Sequence, residues 1–309
     1  MKQVVFFGTP DFAVPSLVKL IASKEFQVLA VITQPDAKRG RGGQLVPSPV
    51  KRVAIQHGLA IYEPVRLRRD RVVLEYLQNS GADFFVVVAY GQILPQSVLD
   101  MPKYGCVNVH GSLLPKYRGA APIQWAIANG ETVTGVTTML MDAGIDTGAI
   151  LKQVSTEILA TDNAHTLSAK LAAMGADLLL ETLQQFADLA PTPQDDQQAC
   201  YAPLITKEDW QINWQTPAVT IHHRVRGFYP NCFVHFRGDR LKILATEVIP
   251  STGQVGQITA ILKGRGLVVQ TADQGLLLTQ VQPANKKPQG GWDFANGSRL
   301  TVGQIFTEA

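Results

Sequence analysis

Between residues 108 and 119 the chain reads Asn-Val-His-Gly-Ser-Leu-Leu-Pro-Lys-Tyr-Arg-Gly, its densest cluster of polar and turn-forming residues in an apolar setting. Asn108 and His110 lie two apart at the end of a strand-like run, Cys106 to His110, so both side chains project from one face. Asparagine offers an amide donor for a developing oxyanion, and histidine titrates near neutrality. The same two residues could instead satisfy a loop backbone. A second cluster, Met141-Asp142-Ala143-Gly144-Ile145-Asp146-Thr147-Gly148, also follows a strand-like run, and its glycines permit a tight path that aims a carboxylate inward. Asp146 is the candidate base there, while Asp142 reads as a turn acid. A third segment, Gln34 to Gln44, sets Lys38, Arg39 and Arg41 among glycines. That is a cationic loop able to follow phosphates, or a solvated surface.

The elements around these clusters suggest a doubly layered α/β domain. Val4–Phe7, Val28–Thr33, Asp83–Ala89, Cys106–His110 and Val136–Met141 are short apolar runs that read as strands. Ala13, Leu17, Leu20 and Ile21 share one face at helical spacing, as do Ala164, Leu167, Leu171, Met174 and Leu178. Such alternation implies a Rossmann-like, open, mostly parallel sheet, at whose strand carboxyl ends ligands bind. Thr9-Pro10-Asp11 has the residues of a helix start. Only Gly8 remains of a GxGxxG fingerprint, which argues against a nicotinamide or flavin enzyme. From residue 190 to 205 the chain turns polar and reads as a linker. Beyond it, Phe233–Phe236, Leu241–Val248, Gly256–Leu262, Gly266–Ala272 and Leu276–Val281 are short β-rich runs that fit a small OB-like β-barrel. The expected organisation is therefore a catalytic domain over 1–189, a linker over 190–205 and a barrel over 206–309.

Composition narrows the class. The chain has 309 residues, 46% hydrophobic and 17% charged, which excludes intrinsic disorder. No apolar run reaches the roughly 18 residues of a membrane span, and no cleavable leader is expected, so a cytoplasmic protein without membrane association is anticipated. Cys106, Cys200 and Cys232 are far apart and suggest buried thiols rather than a disulfide framework. His222-His223 has no companion ligands, so no metal is expected, and Trp210 and Trp214 read as packing residues. Net charge is +3, and from Thr206 onward basic residues outnumber acidic ones 11 to 7. A mildly basic second domain is compatible with a polyanionic partner.

Taken together, these segments resemble the methionyl-tRNA formyltransferase family of 10-formyltetrahydrofolate-dependent enzymes. The resemblance is carried by Phe7 to Ala13, the 34–51 loop region, Val87 to Gly91, Asn108 through Gln124, and Met141 through Gly148. Ile212-Asn213-Trp214 and Arg224 to Pro230 extend it into the second domain. It implies formyl transfer from 10-formyltetrahydrofolate to the methionine of initiator tRNA, without a metal, by a monomer. By the same resemblance Asn108, His110 and Asp146 are the catalytic trio. Val88, Tyr90, Gly91, Ile93, Leu94, Ser112, Leu113, Leu114, Pro115 and Asp142 line the folate site, and Lys38, Arg39 and Arg41 meet the tRNA. An ordinary aspartate, with a pKa near 3.9, is too acidic for an efficient base at neutral pH. Asp146 is therefore expected either to be shifted or to hold His110 charged. The chain departs from the family at Gly43-Gln44, where lysines are usual, at Arg226-Gly227, and at Asn231-Cys232 after Phe228-Tyr229-Pro230. The alternatives are a formyltransferase for a small amine (an amino sugar nucleotide or glycinamide ribonucleotide), a formyltetrahydrofolate hydrolase, and a non-catalytic RNA binder.

Overall fold

The computed structural model describes residues 1–39 and 43–305. The chain divides into two compact units, one built from residues 1–122, 133–156 and 168–202, the other from 123–132, 157–167 and 203–309. In chain order the strands are β1 Lys2–Gly8, β2 Phe26–Ile32, β3 Ala37–Arg39, β4 Gln44–Val46, β5 Ala60–Tyr62, β6 Phe84–Val88, β7 Cys106–His110, β8 Arg118–Gly119, β9 Val133–Leu140, β10 Ala149–Glu157, β11 Tyr201–Ala202, β12 Phe233–Phe236, β13 Asp239–Ile249, β14 Ile258–Leu262, β15 Gly266–Gln270, β16 Gly275–Pro283 and β17 Gln289–Gly290. The helices are α1 Val14–Ala22, α2 Pro49–Gln56, α3 Arg71–Asn79, α4 Gln96–Leu99, α5 Pro122–Ala128, α6 Ala164–Gln184, α7 Ala218–Gly227 and α8 Gly291–Gly297.

The first unit holds a seven-stranded sheet in the order β10-β9-β7-β6-β1-β2-β5. From β5 to β7 the strands run parallel. Its central strands are covered on both faces, which is why β6 is an unbroken apolar run with all five residues buried. β9 runs antiparallel to β7, with Val107 opposite Leu140 and His110 opposite Thr137. A crossover helix would have returned that strand parallel; the connection from β7 instead passes through β8 and the short α5.

Local signals explain most element ends. Ser48 caps α2 by accepting from the Lys51 amide at 3.0 Å, and Pro49 fills the first helical position, where no amide hydrogen is required. Asp70 caps α3 in the same way, accepting from Val73 at 3.2 Å. The expected helix start at Thr9 is displaced. Residues 11–13 form a tight turn before α1 begins at Val14, and no side chain caps that turn. The Thr9 hydroxyl donates to the Tyr90 carbonyl at 2.9 Å instead, so its bonding ties β1 to the segment after β6.

The second unit is centred on the five strands expected from the sequence, which form one antiparallel sheet in the order β12-β13-β16-β15-β14, with β17 beside β16. Its core includes Trp214, Ile221, Val225, Phe228, Ile243, Leu276 and Leu278, so Trp214 is a packing residue. Cys106 and Cys232 are buried, and burial pushes both thiols up to about 12. Cys200 departs from that expectation: it is half-buried, and its sulfur accepts the Tyr117 N–H at 3.2 Å.

On α7, burial first, then the positive charges of Arg226 and His223, push His222 down to about 4. The unfolded chain would titrate this group near 6.5. A depressed folded-state value means the unfolded state binds the proton first, so stability is lost as pH falls from about 6.5 toward 4. Thermal melts of the parent and His222→Gln over that range are expected to diverge, the parent falling more steeply. Parallel curves would remove His222 from the acid response.

Candidate active site

β7 carries both leading candidates of the first cluster. Asn108 lies between Val87 of β6 and Met139 of β9, and its Oδ1 is buried without a hydrogen-bond partner. An unpaired buried acceptor costs about 1–3 kcal/mol, which makes the atom a candidate contact for a ligand donor. His110 ends the strand at 7% exposure. Its Nε2 lies 2.9 Å from the Tyr117 carbonyl, and its Nδ1 faces Asp146 Oδ2 at 3.6 Å.

Asp146 reaches this position by an indirect route. Because β9 is antiparallel, the loop after it leaves beside Cys106, where the Met141 amide donates to the Cys106 carbonyl at 2.8 Å, at the opposite end of β7 from His110. The loop must turn back along the sheet to bring Asp146 to the imidazole. The turn is made by Asp142, whose Oδ1 accepts from the Gly144 amide at 3.0 Å and the Thr147 hydroxyl at 2.6 Å. Gly148 closes it, where an added Cβ would fall on the Leu140 carbonyl oxygen. Asp146 itself is left-handed, with φ +55°. Its Oδ2 also accepts the Gly119 amide at 2.8 Å.

Residues 117–119 therefore hold both halves of the pair: the Tyr117 carbonyl binds His110 and the Gly119 amide binds Asp146. This segment is fixed in turn by β8 pairing with β11 and by the Arg118 amide donating to the Cys200 carbonyl at 2.9 Å. Gly119 has φ +116°, and an added Cβ would meet the Ala202 carbonyl oxygen at 2.7 Å. Gly119→Ala is expected to destabilise the protein by about 1–3 kcal/mol, read as a lower denaturant midpoint. An unchanged midpoint would contradict the placement of this strand pair.

The remaining folate-site candidates occupy two segments. In the turn after β7, the Ser112 hydroxyl donates to the Lys116 carbonyl at 2.6 Å, and the Leu114 amide donates to Thr137 Oγ1 at 3.1 Å. Leu113 packs near Gly135, and the Leu114–Pro115 peptide is cis. At the end of β6 and just beyond it, Val88, Tyr90 and Leu94 are buried, Gly91 has φ +88°, and Ile93 is 76% exposed. Burial raises the Tyr90 hydroxyl pKa, and its oxygen, like Asn108 Oδ1, has no partner. Gln34 Nε2 donates to the Tyr90 carbonyl at 3.3 Å, and Gln92 Nε2 donates to the Pro64 carbonyl at 2.9 Å. In the cationic loop, β3 and β4 pair as a hairpin that brings Lys38 and Arg39 opposite Leu45 and Gln44; Arg41 lies outside the described residues. Behind the hairpin Lys51 pairs with Asp36 at 2.7 Å and Glu63 at 2.8 Å, and these two carboxylates raise its pKa.

The residue types alone did not single out Gln194. Its Nε2 donates to the carbonyls of Asp146 at 2.8 Å and Gly148 at 2.7 Å, while its Oε1 accepts Arg118 Nε at 3.0 Å. It lies in the polar 190–205 stretch, where no apolar period distinguishes a bonded side chain from a solvated one.

Comparison with known proteins places this geometry in context. The formyl transferase family model matches residues 1–183, and the model of the formyl transferase C-terminal domain matches residues 204–299. The chain is 51% identical to the methionyl-tRNA formyltransferase of Trichormus variabilis, covering 98% of each chain, and 53% identical to that of Thermosynechococcus vestitus, again over 98% of each. Among solved structures, the fold resembles WlaRD, a sugar 3N-formyl transferase, with a TM-score of 0.68 and 21% identity over 93% of this chain and 99% of that one. It also resembles HypX from Aquifex aeolicus in complex with tetrahydrofolic acid, with a TM-score of 0.65 and 15% identity over 98% of this chain and 48% of that one.

Proposed function

The chain belongs to the methionyl-tRNA formyltransferase family, and from that membership we propose how its own residues carry the family's reaction. It transfers the formyl group of 10-formyltetrahydrofolate to the α-amino group of methionine on initiator methionyl-tRNA, giving the N-formylated form for translation initiation. A small amine acceptor is not favoured: the relatives at about half identity share the tRNA-directed name, whereas the sugar enzyme matches at 21%. In the transfer the amine nitrogen bonds to the formyl carbon and the bond from that carbon to N10 breaks. The amine gives up a proton, N10 gains one, and tetrahydrofolate leaves.

The observation that carries the assignment of roles is the joint holding of His110 and Asp146 by residues 117–119, on the strand that also presents Asn108. His110 Nε2 lies within hydrogen-bond distance of the Tyr117 carbonyl, and Nδ1 faces the Asp146 carboxylate at 3.6 Å. Asp146 thus orients the imidazole beside the reacting centre, and its carboxylate can relay the proton the amine loses. The Asn108 carboxamide is presented by the same strand: its unpartnered buried oxygen can accept from the substrate amine, while its NH2 donates to the formyl oxygen as that atom gains negative charge. The formyl donor fits the two segments at the ends of β6 and β7, where the Tyr90 hydroxyl is a second buried polar atom without a partner. Val88, Tyr90, Gly91, Ile93, Leu94, Ser112, Leu113, Leu114, Pro115 and Asp142 line that site in this reading, with Asp142 acting through the turn it holds.

Lys38, Arg39 and Arg41 are proposed to meet tRNA phosphates. Arg41→Ala is expected to raise the tRNA KM or lower turnover while folate binding stays intact. Loss of folate affinity instead would move the loop to the donor site. We further propose a cytoplasmic monomer; among the described residues no helix is long and apolar enough to cross a membrane. A dimer by sedimentation would contradict the monomer. The reaction itself is tested by product stoichiometry: one tetrahydrofolate for each N-formylmethionyl-tRNA is expected. Tetrahydrofolate formed without formylated tRNA would make the chain a hydrolase.

A further inference from the structure

We propose that Gln194 and Arg118 are positioning residues for formyl transfer, holding the Asp146 backbone so that its carboxylate faces His110. The proposal rests on the reading of Asp146 as the partner of His110. The whole Gln194 carboxamide is engaged in this way, through two N–H bonds to the Asp146 and Gly148 carbonyls, at 2.8 and 2.7 Å, and one acceptor bond from Arg118 at 3.0 Å. Arginine only donates, so Arg118 Nε takes the amide oxygen and forces the NH2 toward the loop. The guanidinium is itself fixed, with Arg118 2% exposed and Nη2 bound to Asp196 at 2.8 Å.

The loop has a physical reason to require such a clamp. It leaves at the far end of β7 and doubles back, and Asp146 sits in the left-handed region, which an aspartate tolerates better than most residues but which still benefits from bonds that hold it there. The clamp and the catalytic pair share one short segment. The Gly119 amide holds the Asp146 carboxylate, while the side chain of the preceding Arg118 reaches the carbonyl of the same aspartate through Gln194. Asp146 is thus gripped at both its charged and its peptide ends from residues 118–119. The Gln194 side chain bonds to the Asp146 and Gly148 backbone and to Arg118, so its effect on the chemistry passes through the loop.

The test uses the full chain with 10-formyltetrahydrofolate and methionyl initiator tRNA. Gln194→Leu removes every bond of the carboxamide. Gln194→Glu keeps the acceptor for Arg118, deletes the donors to the two carbonyls, and retains a polar side chain should the leucine variant fail to fold. Both are expected to lower kcat by about 10- to 100-fold, the scale of a misplaced catalytic group, with either KM changed by less than about twofold and the pH profile of kcat altered. In an Asp146→Asn background the same substitutions are expected to add little, because the two residues act on one step. Parental kcat in Gln194→Glu, or an equal fold-loss in both backgrounds, would overturn the proposal. An Asp146→Asn variant at parental speed would overturn the underlying reading as well, whereas a slow Asp146→Asn beside a fast Gln194→Glu would overturn the clamp alone.

Discussion

Asp146→Asn is expected to bind both substrates as the parent does and to turn over about 100- to 10,000-fold more slowly, the range for loss of a positioned acid–base group. The amide can still accept the Gly119 N–H, so the loop has a means to stay in place. What the substitution removes is the charge 3.6 Å from His110 Nδ1. Without it the proton from the amine loses its acceptor, so the loss falls on kcat and the pH dependence of kcat flattens. A pH profile indifferent to the change would remove Asp146 from the chemistry, and a loss confined to KM would make it a binding residue.

Asn108→Ala is expected to lower kcat by about 100- to 1,000-fold, the cost of one oxyanion donor. Here stability and activity, measured together, separate a catalytic from a structural role. Asn108 Oδ1 is buried and unpartnered, so its removal takes away a cost to the folded state rather than a bond. The variant is therefore expected to melt no earlier than the parent while turning over far more slowly, the opposition between stability and activity found at preorganised sites. A variant that melts early and loses activity in proportion would mark Asn108 as structural.

The parts legible from sequence are those where burial dictates residue type. β6 and β7 are read from apolar runs because both faces of a central parallel strand are covered, and β7 ends where the run meets His110. β10 escapes such reading: its alternating exposure dilutes the apolar signal with Lys152, Gln153, Ser155 and Thr156. The direction of β9 is equally hidden, since a buried strand looks the same whichever way it runs. Yet that direction decides that the 141–148 loop must double back. Asn108, His110 and Asp146 stand out as candidates because their types and spacing are distinctive against an apolar background. Gln194 is not, because its function lies in three bonds made across 46 and more residues, within a stretch whose composition suits a linker. Thr9 shows the converse: a helix-start residue by type, it is turned to the Tyr90 carbonyl by a contact 81 residues away.

Formyl transfer to initiator methionyl-tRNA by the Asn108, His110 and Asp146 constellation is tested most directly by incubating the purified chain and its Asn108→Ala variant with 10-formyltetrahydrofolate. The acceptors, supplied separately, are initiator methionyl-tRNA, elongator methionyl-tRNA and free methionine. Rapid formylation of the initiator species by the parent is expected, with little of the other two acceptors and near loss in the variant. Efficient formylation of free methionine, or equal rates in parent and variant, would contradict this assignment.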